Sequence, residues 1–194
     1  MKQNSQRSND TAAWNDTITR GIIVFGANGS GKTTLGRELA RVLNFKHMDH
    51  ETYAFGESDI PYTNPRSNEE CVELMLADIE RYRSFVLSAV TGNFGDIILS
   101  YYKLAVYINA PLELRLERIK QREYDRYGER VLEGGDMYES RLDFIEFVAN
   151  RPLSRIDDWA KTLACPVIRF DGTEDWRANA VKIAERYRDI MAGK

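Results

Sequence analysis

Cysteine is scarce in this chain: Cys71 and Cys165 are the only two in 194 residues. They lie far apart and without metal-ligand spacing, which argues against a disulfide framework and a thiolate metal site and for a reducing cytoplasm. Long apolar runs are missing as well; none approaches the roughly 18–20 residues a membrane helix needs. Positive charge is not in excess. Lys and Arg number 27 against 30 Asp and Glu, a formal charge of −3, so no nucleic-acid partner is expected. The two histidines, His47 and His50, flank Asp49 at a spacing that makes no metal site inside a short strand. The first nineteen residues are polar and lack the apolar stretch of a signal peptide. Residues 1–19 read as a flexible N-terminal tail, and residues 20–194 as a single α/β domain of a size that builds one full core.

What is present is more specific. Gly26-Ala27-Asn28-Gly29-Ser30-Gly31-Lys32-Thr33 satisfies the pattern G-x-x-x-x-G-K-[ST] at every fixed position. Ile22 to Phe25 before it read as a short buried strand, and Leu35, Leu39 and Val42 after it recur at helical spacing. That order is what phosphate binding needs. Glycines let the backbone curl so that the amides of about Asn28 to Thr33 form one concave nest, and the helix dipole adds attraction for an anion. Lys32 is the candidate bridge between β- and γ-phosphates, and the Thr33 hydroxyl is the candidate Mg²⁺ ligand. Gly26, Ala27, Asn28, Gly29, Ser30, Gly31, Lys32, Thr33 and Thr34 together are the expected nucleotide site, with ATP and Mg²⁺ as the expected ligands.

The rest of the chain alternates strands and helices. Strands are predicted at Phe45–Met48, Phe85–Val90, Leu104–Ile108 and Val167–Phe170. Residues 51–66 read as loop, and Ser67 with Glu70 forms a capping box that opens a helix to about Arg83. A short helical segment is expected from Asp96 to Tyr102, and a strong helix from Pro111. A charged, glycine-containing stretch, about 123–136, breaks the periodicity. Helices follow from about Met137 to Arg151, after Pro152 to about Leu163, and from Trp176 to Met191. Such alternation implies an α/β fold with a parallel sheet covered on both faces.

With these elements in order, the chain from about Gly21 to Tyr187 resembles the small P-loop kinases of the nucleoside monophosphate kinase group, with adenylate and shikimate kinases as members. The resemblance rests on the phosphate loop, Asp49 at the end of strand two, the arginine-bearing helix after strand four, the insert, and the late Asp171-Gly172-Thr173 turn. It implies a three-layer P-loop fold with a five-stranded parallel sheet in order 2-3-1-4-5. It also implies a lid-like insert (about 123–136) and an acceptor-binding region (about 51–83).

On the helix after Pro111, Leu112, Leu116 and Ile119 share one face and Arg115, Arg118 and Arg122 another. Planar guanidinium groups match phosphoryl oxygens, and the resemblance carries the clamping role onto Arg118, Arg122 and, after the insert, Arg141. Glu113 and Glu117 at helical spacing equally suit a solvated, ion-paired face. Arg126 and Arg130 fit either phosphate contact or a soluble lid. Asp49, at a strand end beside the loop, is a candidate to hold a Mg²⁺-bound water or to take a proton from an acceptor hydroxyl; it also suits a turn cap. Glu51 has no clear role.

Arg66 is a candidate for an acceptor phosphate or carboxylate, or an ordinary surface arginine, and Tyr53, Phe55 and Tyr62 are candidates to stack on a ring or pack the loop. Asp171, Gly172 and Thr173 match the turn whose backbone meets the nucleobase in the resembled kinases. Gly92 and Asn93, in the loop after strand three, are candidate substrate contacts. That loop departs from the family: it has neither a glycine run nor an Asp-Gly followed by arginine. Strand three also ends without an aspartate, leaving Asp96 or Asp49 as the second acid. The expected activity is Mg-ATP-dependent phosphoryl transfer to a small-molecule acceptor, a nucleotide or a hydroxyl metabolite. The alternative is a nucleotide-dependent ATPase or switch module acting on a macromolecular partner.

Overall fold

The computed structural model describes residues 18–193, so the tail reading falls outside the described residues except at Ile18 and Thr19. The first strand, β1 (Arg20–Phe25), is buried along its whole length. Its neighbours are β3 (Ser84–Ala89) and β4 (Tyr102–Asn109), both parallel to it. With β2 (Lys46–Asp49) outside β3 and β5 (Val167–Asp171) outside β4, the sheet runs β2-β3-β1-β4-β5, the order the resemblance implied. A strand covered on both faces cannot alternate apolar with polar, which is why β1 and β3 read as near-continuous apolar runs.

The two faces of β1 serve two cores. Ile23 and Phe25 point toward one, with Met48, Met75, Leu87, Ile98 and Ile156. There the sheet is covered by α3 (Asn68–Tyr82), α4 (Asp96–Tyr101) and α7 (Ser154–Lys161). Ile22 and Val24 point toward the other, against α1 (Lys32–Leu43) and α8 (Trp176–Met191), through Leu35, Leu39, Ile183 and Tyr187. The predicted capping box on α3 is present: Ser67 Oγ accepts from the Glu70 amide at 3.1 Å and Glu70 Oε2 from the Ser67 amide at 2.9 Å.

Two stretches differ from the reading of the sequence. Residues 51–66 are not all loop, because α2 (His50–Ala54) follows β2 directly. Its start is set by Asp49, whose Oδ1 accepts from the Glu51 amide; five residues are too few to display a helical period. The insert is shorter than its charged composition suggested. Helix α5 (Leu112–Tyr127) runs on through residues 123–127 and ends in a 3-10 turn at Gly128–Val131 before α6 (Tyr138–Asn150). Arg130 closes that turn by pairing with both carboxylate oxygens of Asp136, at 3.0 and 2.7 Å. Strand β4 also starts earlier than read, at Tyr102. Among the described residues no helix is long and apolar enough to cross a membrane.

Phe25 has no exposed surface and stacks on Tyr107 at 5.0 Å while meeting Trp159 edge-on at 4.9 Å. It ties the centre of the sheet to α7. Phe25→Ala is expected to cost about 3–5 kcal/mol of unfolding free energy, read from urea denaturation. A loss below about 1 kcal/mol would mean the ring is not a core anchor.

Candidate active site

The loop between β1 and α1 curls through glycines, Gly26, Gly29 and Gly31, whose conformations other residues avoid. At Gly29, φ is +78°, and a Cβ there would run into the backbone carbonyl of Arg115. Gly31, with φ +103°, is the N-cap of α1 and offers no side chain to its free amides. One expected member of the nest is otherwise engaged: the Ser30 amide donates to Ala27 O at 3.2 Å.

The outward-facing carbonyls of the loop are taken by cations. Arg115, 4% exposed, donates from Nη1 to Asn28 O at 3.3 Å and from Nε to Ala110 O at 3.2 Å. Arg118 spans from Ser30 O (3.4 Å) to Gly172 O (2.9 Å), and Lys32 Nζ folds back on Ala27 O at 2.9 Å. The arginine face of α5 is therefore turned inward, and the solvated-face reading does not hold for Arg115 or Arg118. Burial of Arg115 had no signal in the sequence, because its partners are main-chain carbonyls.

A cavity of about 550 Å³ opens over this loop. Lys32, Thr33 and Thr34 line it from α1, Asp49 from the end of β2, Glu51 from α2, Arg118, Arg122 and Arg126 from α5, and Gly172 from the turn after β5. Asp49 does two things at once. Its Oδ2 accepts from Thr33 Oγ1 at 3.0 Å, and its Oδ1 caps α2. In strand register it lies opposite Ser88, whose hydroxyl donates to Lys32 O at 3.2 Å and meets His47 Nε2 at 3.0 Å. A Cβ on Gly36 would collide with the Ser88 hydroxyl and crowd His47, so a glycine there leaves room for β3 to support the loop from below.

Lys32 is shifted strongly. Burial pulls its ammonium down to about 8 against the opposing pull of Glu51 and Asp49, with Arg122 and Arg151 lowering it further. Glu51 is the larger of the two carboxylate influences on Lys32 and lines the cavity. Reading the sequence gave it no role; its position two residues past the strand-end aspartate was the available signal. Arg151, at the end of α6, was missed altogether. Its Nη1 meets Asn28 Oδ1 at 3.3 Å, which brings a cation from beyond the insert to the phosphate loop.

Other expected residues lie elsewhere. Arg141 donates to Val131 O at 3.0 Å and approaches Glu123 at 3.8 Å, so it holds the turn after α5 and does not line the cavity. Burial raises the Glu123 carboxyl above its ordinary range there. Arg66 gives its guanidinium to the carbonyls of Thr52, Tyr53 and Phe55. Gly92 O accepts from Tyr102 OH at 3.3 Å, Asn93 is exposed, and neither lines the cavity. The neighbouring Phe94 stacks on His50 at 4.7 Å. Asp96 is exposed in the first turn of α4, outside the cavity; of the two acids considered, only Asp49 meets Thr33. Asp171 accepts from the amide and hydroxyl of Thr173, both at 2.8 Å, leaving Gly172 as the member of that turn in the cavity wall. A Cβ on Gly172 would stand 2.6 Å from Ser30 O and 2.8 Å from Asn109 O. Among the described residues no group of three His, Cys, Asp or Glu could hold a metal by itself.

The sequence profile described as "AAA domain" matches residues 22–142, from β1 through the insert. The chain belongs to that family. Among P-loop proteins it falls in the nucleoside monophosphate kinase group of small kinases. It is 32% identical over 164 residues to the "Uncharacterized protein YqaC" of Bacillus subtilis (strain 168), covering 79% of this chain and 89% of that one. To a shikimate kinase of Acinetobacter baylyi it is 32% identical over 113 residues, 53% of this chain and 62% of the relative. A solved shikimate kinase from Acinetobacter baumannii, in complex with shikimate, superposes with a TM-score of 0.52 at 23% identity, covering 92% of this chain and 96% of that one.

The Lys32 shift generates a prediction that needs only an anion. Below about pH 8 the ammonium is already protonated, and sulfate, which has no proton of its own to lose in this range, binds without proton exchange. Above it, the bound anion restores the proton, so affinity falls by up to about tenfold per pH unit and binding takes up a proton. Calorimetry in two buffers of different ionisation heat at about pH 9 reads this directly. An affinity that stays flat from neutral to alkaline pH would contradict it.

Proposed function

We propose that the protein catalyses Mg-ATP-dependent transfer of a phosphoryl group to a hydroxyl of a small-molecule acceptor. The observation that carries this is the position of Asp49 and Glu51. Both line the cavity over the phosphate loop, and both also line a second cavity beside it, walled by α2 and the end of α5. A protein that only bound nucleotide would need the first cavity; a transferase needs a place for the acceptor next to the transferred group. The kinase relatives support the same reading. An ATPase or switch module acting on a macromolecular partner uses only the first cavity, and it is the weaker reading for that reason.

Within this reading the residues divide the work. The loop amides and Lys32 would receive the phosphates of ATP, with Arg118 and Gly172 beside the nucleobase end. Thr33 Oγ1 and Asp49 Oδ2, 3.0 Å apart, are the oxygen pair that would hold Mg²⁺, whose chemistry suits hydroxyl and carboxylate ligands. When bound, the ion neutralises charge on the phosphates. With Asp49 committed to Thr33 and to the cap of α2, Glu51 is the carboxylate left to accept a proton from the acceptor hydroxyl. Arg122, Arg126 and Arg151 supply positive charge where negative charge spreads in transfer. Two free cysteines suit a cytoplasmic setting.

The test is ADP release with Mg-ATP across a panel of hydroxyl compounds and nucleoside monophosphates. Lys32→Ala should remove transfer while leaving the unfolding transition in place, since it deletes charge and not packing. Full transfer by that variant would dismiss the loop as the reacting site. Glu51→Gln should lower kcat by roughly 100-fold or more, the scale of general-base catalysis, with little change in the KM for ATP. Arg122→Ala should lower kcat more than Arg141→Ala. The reverse order would mean the lid turn, rather than the cavity, governs turnover.

A further inference from the structure

The second cavity has a volume of about 640 Å³, within the roughly 300–1,000 Å³ range of small-molecule sites. Arg37, Asp49, Glu51 and Arg126 are common to it and to the phosphate cavity. Its other walls are largely aromatic: Tyr53, Phe55, Tyr62 and Tyr127. The Phe55 and Tyr62 rings meet edge to face at 5.2 Å, and Tyr62 OH donates to Glu51 Oε2 at 3.0 Å. Beyond the four shared residues, the charged side chains of the wall are Glu57, Asp78 and Lys46. The Lys46 ammonium lies 4.8 Å over the Tyr82 ring, and one Asp78 oxygen accepts from Tyr53 OH at 2.6 Å.

The cation best placed by sequence to grip an anionic acceptor is withdrawn. Residues 51–80 carry eight carboxylates and one basic side chain, Arg66. Its Nη1 donates to Thr52 O at 3.1 Å, Tyr53 O at 2.9 Å and Phe55 O at 2.6 Å. These are carbonyls at and just past the end of α2, so recruiting Arg66 to a ligand would strip that helix of its C-terminal partner. Away from the residues shared with the phosphate cavity, the wall carries two carboxylates, Glu57 and Asp78, against one cation, Lys46, which is held over the Tyr82 ring, so a phosphate or carboxylate there meets net negative charge. A protonated amine there meets two carboxylates and several ring faces, both of which attract it.

We propose that the acceptor is a hydroxyl compound carrying a protonated amine, an amino alcohol, amino sugar or aminocyclitol. Its ammonium lies among Glu57, Asp78 and the aromatic wall, and its hydroxyl faces Glu51. The inference rests on the transferase reading and narrows its substrate. In the transfer, the hydroxyl oxygen forms the new bond to the γ-phosphorus as the bond to the β,γ-bridging oxygen breaks. Those electrons leave on ADP, the hydroxyl proton passes to Glu51, and the products are ADP and a phosphate monoester.

The test uses the full chain with Mg-ATP and matched acceptors that differ in charge: glucosamine, glucose and gluconate; ethanolamine, ethylene glycol and glycolate; and 2-deoxystreptamine. ADP release and the mass of the product are read, and Mg-ATP binding is measured separately by calorimetry. At least one amine should raise turnover tenfold or more above its neutral and anionic counterparts. Glu57→Gln should then raise the acceptor KM roughly tenfold, more than it alters the KM for Mg-ATP. A neutral or anionic counterpart that performs as well overturns the inference while leaving the transferase reading standing. So does the absence of any amine-dependent turnover while Mg-ATP binds. Failure of Mg-ATP to bind at all overturns the transferase reading itself, and this inference with it.

Discussion

The site depends on a constraint of the peptide backbone: a loop that turns its amides toward a phosphate must turn carbonyls the other way. Buried carbonyls without partners are costly. Here Arg115 takes Asn28 O, Arg118 takes Ser30 O, and the Ser30 amide and Lys32 take Ala27 O. Helix α5 is thus bound to the back of the phosphate loop by its arginines. Gly29 allows that approach because a Cβ would meet the Arg115 carbonyl, and Gly172 allows the same from the turn after β5. The arrangement joins three elements far apart in sequence into one rigid anion receptor.

From this receptor the rest of the active region follows outward. Arg118 holds the Gly172 turn beside the loop. Arg122 and Arg126, one and two helical turns further along α5, line the cavity. The 3-10 turn after α5, braced by the Arg130–Asp136 pair and by Arg141 on Val131 O, sends α6 back so that Arg151 reaches Asn28. Arginines near the insert therefore divide into those that meet ligand space and those that hold the chain in shape. On the acceptor side the same division falls on Arg66, which stabilises the end of α2, and on Glu51, which α2 carries into the cavity.

Much of the fold was readable from local signals. The central strands β1, β3 and β4 appeared as apolar runs because they are covered on both faces, whereas the edge strands β2 and β5 are only partly buried. The capping box at Ser67 and the spacing of Leu35, Leu39 and Val42 marked two helices correctly. The short α2 was not readable, since one turn set by an Asp49 cap leaves no period to detect. The end of α5 was misjudged because charge and glycine suggested a loop where the helix continues to Tyr127. At the site, Lys32, Thr33 and Asp49 come together as their motif and strand-end position implied. Arg141, Arg66, Gly92 and Asn93 do not line the cavity; the partners of the first three are carbonyls and a hydroxyl of residues that only folding brings near, and Asn93 is exposed.

The order of residues by itself determined the phosphate loop, its flanking strand and helix, and the alternation that makes a covered parallel sheet. Those are short-range properties: glycine conformations, helical period and apolar runs. Tertiary structure alone decided which arginines meet the cavity: Arg115 is buried against the carbonyls of Asn28 and Ala110, whereas Arg118 and Arg122 on the same helix line it. It also decided that Glu51 and Asp49 stand between two cavities, because the strand register and the start of α2 put them there. The acidic, aromatic character of the second cavity likewise depends on Arg66 being drawn away to α2, a long-range contact that no spacing in the sequence encodes.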